Sequence, residues 1–582
     1  MHGSLSPRVV ADAKASSSAL SASKTSSWPT SDIGTVILHW TAAVAMFVSL
    51  FTGLRLTADN LDSVVAKALS PILPQGEIWT WHFVAGLALF FASTAYALYM
   101  IRSGLANRVA LKKLQVLTMP AAPKLRWGAV NVALHWALYA LVAVLTATGI
   151  LLYLGHGGIV VTIHVVSAFA TLAYTAAHLV GHFGYGGWLQ LLRVFRPARL
   201  VPSRGMRAKP LLAATAAGVA VAGGVAGADL ATRDVLVVKA MSTTPKLDGH
   251  FDDAVWSTAR PVTVRTQQGV NLGGTGESTV EVRAVRDDKK IYFAFRWQDP
   301  TRSLFRLPMI KKADGWHVVG TRAGSADVND FYEDKFSVIF SESNAFGGGG
   351  STHMGPRPVA DRPSSLNERG LHFTADGSTI DMWQWKASRG GMLGLVDDQY
   401  IGPIRPATAD ETAKRARYQG GYWNDPGKTI YSYNFAFQGP GGFQTAVTPR
   451  RLPKDWKAIA TAMGPLDTAN PDGQAGANDK TWMFDTESVP YSPEADAAIP
   501  VGTIMPGVLF AGQAEGDRAH IAVGARWENG HWYAEMSRDL VTGSTFDKDF
   551  VPGKPLYVWV AVFDHTQTRH TRHVRPVKLE LR

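Results

Sequence analysis

Two stretches decide how this chain folds: Val36–Gly53, VILHWTAAVAMFVSLFTG, and Val132–Gly149, VALHWALYALVAVLTATG. Each carries His-Trp early and Thr-Gly late, with no charged residue between. Apolar runs of about 18 residues or more are membrane-span candidates. The likeness of the two marks an internal repeat in which a two-helix unit has been duplicated.

Working outward, four long apolar stretches cover about 33–56, 77–101, 129–154 and 157–183, with no Asp, Glu or Lys in their interiors. Each is long enough to cross a bilayer, which takes about 20 residues. A fifth, Leu211–Ala228, is rich in Ala, Gly and Val and just long enough to span. Residues 1–32 are rich in Ser, Ala and Lys and have no apolar period. They read as a disordered cytoplasmic tail without the early apolar core of a signal peptide. The expected division is a tail over 1–32, a four-helix membrane domain over 33–205, a fifth membrane helix over 206–228, and an outer domain over 229–582.

The chain has 582 residues and a formal net charge of +11. Residues 1–228 hold 17 Lys/Arg against 5 Asp/Glu, leaving 41 against 42 for the remainder. The basic excess thus lies in the membrane half, which argues against nucleic-acid binding. The 102–127 loop carries Arg102, Arg108, Lys112, Lys113, Lys124 and Arg126 with no acid. The 184–210 segment carries Arg193, Arg196, Arg199, Arg204, Arg207 and Lys209, again with no acid. In the 57–76 loop Asp59 and Asp62 stand against Lys67. Basic loops stay in the cytoplasm, so the N-terminus is expected inside and residues 229–582 outside. In a Gram-negative host that places them in the periplasm, on a multi-pass inner-membrane protein.

The outer part alternates in Thr279–Ala284, Ile291–Trp297, Phe336–Phe340, Tyr557–Phe563 and Val574–Leu581. Turn clusters such as Phe346–Gly350 and Asn470–Asp479 punctuate it. Short strands with Gly, Pro and Asp breaks predict an all-β sandwich. The expected fold is thus multidomain: an all-α transmembrane four-helix bundle, a fifth transmembrane helix, and an all-β sandwich.

Ionisable residues inside membrane spans are rare and usually functional. Those well inside here are His39, His82, His135, His164 and His178. His39 and His178 lie at similar depth near the inner face, and His82 and His164 near the outer face. His164 and His178 are fourteen residues apart on one helix, which puts them on a shared face with a rise of about 21 Å. That spacing suits two stacked haems, ligated by His39/His178 and His82/His164. Gly53 and Gly149 follow His39 and His135 by the same interval, and Gly86 follows His82 by one turn; a residue without a Cβ lets a porphyrin approach the backbone. The alternative is a set of histidines that hydrogen-bond between helices. His135 sits at the inner depth as an extra ligand: it would replace a partner, line a quinone site or simply pack. His182 lies at the interface and reads as structural.

There is no cysteine. Disulfides, iron–sulfur clusters, Cys-X-X-Cys-His haem attachment and thiolate zinc are thereby excluded, so any haem is a non-covalent haem b. With His39-Trp40, His82 and the His164…His178 pair in view, residues 33–200 resemble the dihaem cytochrome b family that includes membrane subunits of nickel–iron hydrogenases. That resemblance implies electron transfer between quinone or quinol and a partner across two haems. The added His135 and the fifth helix depart from it.

In the outer part, Lys246–Ala259 reads KLDGHFDDAVWSTA. It resembles the entry strand of two sandwich groups: the haem-binding subunit of ethylbenzene-dehydrogenase-type molybdenum enzymes, and a class of carbohydrate-binding modules. Asp381–Ser388, DMWQWKAS, and the closing Val560–Leu581 favour the first. In that group a Met and a Lys hold one haem b. The corresponding positions here fall at His372 and His573, so the resemblance implies a bis-His site. His353 and Met354 are reserve ligands, and His565 and His570 are rivals to His573. Surface histidines on loops are the plain alternative. Trp383 and Trp385 read as core or haem-wall residues, and Asp397-Asp398 as solvated loop residues. Gly273–Gly276 is a turn rather than a nucleotide loop, because no helix pattern follows it.

Two functions are therefore expected to compete. One is a respiratory electron-transfer cytochrome with two membrane haems and a periplasmic haem b, oxidising quinol or reducing quinone and serving a periplasmic redox protein or molybdenum enzyme. The other is a membrane-anchored ligand- or carbohydrate-binding module with no haem in the sandwich.

Overall fold

The computed structural model describes residues 30–58, 68–197, 208–320, 330–363, 370–413, 417–438, 445–466 and 480–582. The proposed tail up to residue 29, Asp59, Asp62, Lys67, Arg199, Arg204, Arg207 and the Asn470–Asp479 turn lie outside them. Packing divides the chain into two compact units. One takes the chain up to Met46 with Ala88–Val142 and Phe169–Ala222; the other takes Phe47–Leu87, Ala143–Ala168 and Gly223–Arg582.

Five long helices come first: α1 Ile33–Ala58, α2 Ile78–Arg102, α3 Pro123–Tyr153, α4 Ile159–Leu191 and α5 Ala208–Ala231. All five are long and apolar enough to cross a membrane, with mean hydropathy of 1.8 to 1.9. Large apolar side chains such as Val44, Phe47, Val84, Leu151, Val166 and Val219 stand exposed along them. Water would penalise such faces and lipid does not. The chain is a multi-pass membrane protein. In the first unit, Leu38, Ala95, Tyr99 and Ala214 pack α1, α2 and α5 together. Asp32 ties the start of α1 to Tyr99, whose hydroxyl donates to it at 2.6 Å. The last turns of α4 break at Gly186 and at Gly187, whose φ of 62° belongs to glycine.

The second unit contains a twelve-stranded sheet. Its strands are β1 Val235–Ala240, β2 Val262–Thr266, β3 Ser278–Arg286, β4 Lys290–Gln298, β5 Lys335–Ser341 and β6 Ile380–Lys386. They continue with β7 Asp397–Ile401, β8 Tyr422–Asn424, β9 Ala522–Glu528, β10 His531–Asp539, β11 Leu556–Phe563 and β12 Val577–Leu581. The order is β8-β7-β6-β5-β11-β12-β1-β3-β4-β10-β9, with β2 added on β3. The sheet folds over on itself as a sandwich. Trp297 of β4 stacks on Phe336 of β5 with centroids 4.5 Å apart, and Trp385 of β6 meets Trp532 of β10 at 4.8 Å. Trp383 and Trp385 are core residues with no exposure. The final strand starts at Val577 rather than Val574, because the preceding residues make side-chain and loop contacts instead of ladder bonds.

The KLDGHFDDAVW motif has a structural role. The buried Glu535 carboxylate accepts the amides of Asp248 and Gly249 at 3.1 and 2.8 Å and the Trp256 indole N–H at 2.6 Å. Gly249 has φ of 77°, and a Cβ there would lie 2.8 Å from the Arg526 amide nitrogen. Only glycine makes this turn.

Candidate functional site

Within the first unit, His39 of α1 and His178 of α4 face each other with ring centroids 6.3 Å apart and planes at 27°. Within the second, His82 of α2 and His164 of α4 face each other, also at 6.3 Å, with planes at 74°. A metal bound to two imidazole nitrogens at about 2 Å each, with about 1.1 Å from nitrogen to ring centre, sets the centroids about 6 Å apart. Each pair would therefore have room to hold one iron between its two rings.

The supports of His82 and His164 match. Thr52 Oγ1 lies 3.0 Å from His82 Nδ1, and Thr148 Oγ1 lies 2.8 Å from His164 Nδ1. The Ser49 carbonyl adds a contact to His82 Nδ1 at 3.1 Å. Engaging Nδ1 orients the ring and leaves Nε2 for metal. Gly53, next in sequence, leaves the His82 ring room, since a Cβ there would crowd Cε1 at 3.3 Å; at Gly149 a Cβ would only touch His164 Cε1 at 3.7 Å. The sequence reading assigned these glycines to a porphyrin face and missed the threonines, although Thr-Gly was visible in both repeats.

His39 and His178 have different company. His135 lies 6.0 Å from His178 and 6.5 Å from His182, and His182 lies 4.5 Å from His178. The His135 Nδ1–H donates to the Asn131 carbonyl at 2.6 Å, and the Tyr174 hydroxyl sits 3.2 Å from His178 Nδ1. His182 belongs to this imidazole cluster. Another basic residue that sequence reasoning passed over is Arg55, buried at the end of α1. It donates to the Pro74 carbonyl at 2.9 Å and the Ser70 hydroxyl at 2.7 Å, fixing the turn that leads into α2.

In the β part, strands Gly350–Met354 and Leu371–Thr374 pair antiparallel, and Gly76–Glu77 adds along the first of them. His372 pairs with Thr352, whose Oγ1 lies 3.2 Å from His372 Nδ1. Directly paired residues share a face and neighbours alternate. His353, paired with Leu371, therefore faces away from His372, and Met354 shares the His372 face. That arrangement counts against His353 as a partner ligand.

His573 and His570 differ in tautomer. His573 Nδ1 accepts the Val560 amide at 3.2 Å, and its ring also meets the Arg575 backbone. An imidazole that accepts at Nδ1 carries its proton on Nε2 and has no lone pair there for iron. His570 Nδ1–H instead donates to the Thr571 carbonyl at 2.7 Å, which leaves the Nε2 lone pair bare as metal-bound histidines require. Burial pushes both down to about 4, and the nearby His372 lowers His570 further. Both are neutral at physiological pH. His565 is buried in its loop, its amide donating to Asp334 at 3.0 Å and its Nδ1 3.3 Å from Asn271.

The His570 loop meets the start of α2 and the end of α3 within the same unit. The Arg572 guanidinium lies 4.4 Å over the Trp79 ring of α2. Phe346 packs 6.1 Å from Trp79 and 5.3 Å from Phe83, which follows His82. Gln267, bonded through its backbone to Arg572, donates its amide side chain to the Leu152 carbonyl at the end of α3.

One expectation is overturned. Asp397 and Asp398 are not solvated loop residues: they lie buried on β7, 8% and 0% exposed. Asp397 is clamped by Lys386 and by Arg518 at 3.2 Å, which holds it down at about 2 against the opposing effect of burial.

The β part is similar to a family 9 carbohydrate-binding module from Caldicellulosiruptor kristjanssonii. The likeness is 7% identity at a TM-score of 0.21 for its glucose complex, covering 60% of this chain and 95% of that one. The same module with cellotriose gives 7% identity and 0.20, covering 60% and 93%. No curated protein matches the chain. Residues 30–197 match the prokaryotic cytochrome b561 family, which makes this a membrane b-type cytochrome of electron transport. Residues 253–575 match the ethylbenzene dehydrogenase family. The match spans more than half of the chain, so the chain belongs to the ethylbenzene dehydrogenase family, with a cytochrome b561 bundle fused ahead of the β domain.

Proposed function

We propose that this protein moves electrons between the quinone pool and a periplasmic partner, through two bundle haems and a third haem b in the β sandwich. The observation that carries the reading is the pair of facing histidine couples, His39/His178 and His82/His164, both 6.3 Å apart. Haem b supplies one-electron iron chemistry when bound. The protein's part is to hold each imidazole in the ligating tautomer, as Thr52 and Thr148 do for the second couple, and to keep water from the site with apolar helix faces. In the sandwich, His372 and His570 are the proposed ligands, with His570 taking the role the sequence reading gave to His573. The contact of the His570 loop with Trp79 supports a third centre that continues the path from His82. The acid-free segments 102–127 and 184–210 support a cytoplasmic N-terminus and a periplasmic sandwich. A C-terminal phosphatase fusion should be active and a cytoplasmic reporter there silent; the reverse result overturns that orientation.

The deciding experiment is a pyridine-haemochrome count on the purified full-length protein, with quinol-driven reduction of the same sample. Three haems b per chain, reduced by quinol, are expected. Two haems would confine the cofactor to the bundle and leave the sandwich as a tethered binding module.

A further inference from the structure

We propose that Asp398, Asp547 and His520 form a binding site for a hard divalent metal cation inside the β sandwich, with Asp425 as a further ligand. One ligand atom from each of the first three lies within 4.8 Å of the others. Two ligands of a single Ca²⁺ at about 2.3–2.6 Å stand no more than about 5 Å apart, so one ion reaches all three.

The second observation is that the carboxylates lack partners. Asp398 has no exposure, and neither of its oxygens accepts a hydrogen bond; the same holds for both oxygens of Asp425, which is 3% exposed and whose carboxyl lies against that of Asp547. Asp547 Oδ1 and Asp381 Oδ1 are also unbonded. Among the described residues the cation facing the group is Arg538, which donates to Asp381 at 2.7 Å and lies 3.3 Å from Asp547 and 3.9 Å from Asp398. Four buried carboxylates against one guanidinium leave an excess of negative charge that a low-dielectric interior does not tolerate unpaired. Another buried carboxylate in the same sandwich is treated differently: Asp334 accepts the Ser303 amide, the Trp532 indole and the His565 amide. Burial and mutual repulsion push Asp398 well above the usual carboxylate range and Asp425 up to about 8.

The ligands come from separate elements: Asp398 from β7, Asp425 just after β8, His520 just before β9, and Asp547 from the segment after β10. His520 Nδ1 lies 3.4 Å from Asp547 Oδ2, and the Thr542 hydroxyl holds the same oxygen at 2.5 Å. A cation here ties the two edges of the large sheet, β7–β8 and β10–β9, to each other where the sheet folds over. A set rich in oxygen with one imidazole fits Mn²⁺; with His520 outside the shell it fits Ca²⁺.

The test uses full-length protein in detergent, stripped with chelator and titrated with MnCl₂, with the free-Mn²⁺ resonance and the thermal midpoint of tryptophan fluorescence as readouts. One Mn²⁺ per chain, displaceable by CaCl₂ and raising the midpoint by several degrees, is expected. Asp398→Asn should weaken binding on the order of 100-fold and abolish the midpoint shift. His520→Ala, at the half-exposed rim, tests the site without disturbing the core: it should fold and weaken Mn²⁺ on the order of 10-fold. Failure of Ca²⁺, Mn²⁺, Mg²⁺ and Zn²⁺ alike to bind or to shift the midpoint overturns the site. Unchanged Mn²⁺ binding in His520→Ala overturns the place of His520 in it.

Discussion

Around His82 and His164 the duplicated units do the same thing twice. Each histidine meets a threonine, and each threonine is followed by a glycine lying against the ring. Around His39 and His178 the duplication is unequal. His39 and His135 are the repeat copies, yet His178 faces both, and His182 crowds in at 4.5 Å. One couple is thus built of equivalent residues throughout, and the other has one surplus imidazole from the repeat and another from α4 alone. The lesson is that equal ring spacing does not mean equal surroundings. His82 and His164 each have a threonine hydroxyl at Nδ1, whereas His178 has the Tyr174 hydroxyl and two further imidazoles beside it.

The largest effect should separate the two couples outright. His164→Ala should abolish one bundle haem and leave the other spectrum intact, and His178→Ala should do the converse. His135→Ala should keep both haems; loss of the inner haem there would make His135 the ligand and break the assignment of His39/His178.

The sandwich offers the next contrast. His570→Ala should lose the third haem, whereas His573→Ala should keep it and lower the thermal midpoint instead, because the buried Val560 amide is left unpaired, at about 1–3 kcal/mol. Haem retained in His570→Ala and lost in His573→Ala would reverse the tautomer argument.

Smaller effects would sharpen the symmetric couple. Thr52→Val and Thr148→Val each remove one hydrogen bond, worth about 1 kcal/mol. Each should move the outer haem potential by some tens of millivolts, by similar amounts, without loss of haem. A redox titration in which the two variants differ severalfold would show that the repeat symmetry is not functional.

The mildest effect concerns pH. The folded value of His573, about 4, lies below the usual value of about 6.5 for a histidine in an unfolded chain. As pH falls through that window the unfolded chain takes up a proton that the folded domain refuses, so stability present above about pH 6.5 is lost towards pH 4. The thermal midpoint of the sandwich should fall accordingly, and His573→Gln should flatten the slope.

The sequence by itself determined the five helices, the two facing couples and the sandwich class. Membrane spans announce themselves by length and missing charge, since the bilayer demands both, and a helix has a fixed rise and rotation that convert residue spacing into depth and face. Strands Thr279–Ala284, Ile291–Trp297 and Phe336–Phe340 were legible by their alternation and lie inside β3, β4 and β5. Only tertiary structure decided which histidine of the 565–573 loop has a nitrogen to offer, that His353 and His372 point opposite ways, and that Asp398 is buried beside Asp547 and His520. Ligand tautomer, strand face and carboxylate burial depend on partners outside the element that carries the residue: Val560, thirteen positions before His573, Thr352, twenty before His372, and residues more than a hundred positions on for Asp398. Local periodicity carries no trace of such partners, because it reports which face of one element is apolar and not which atom of a neighbouring strand or loop meets it.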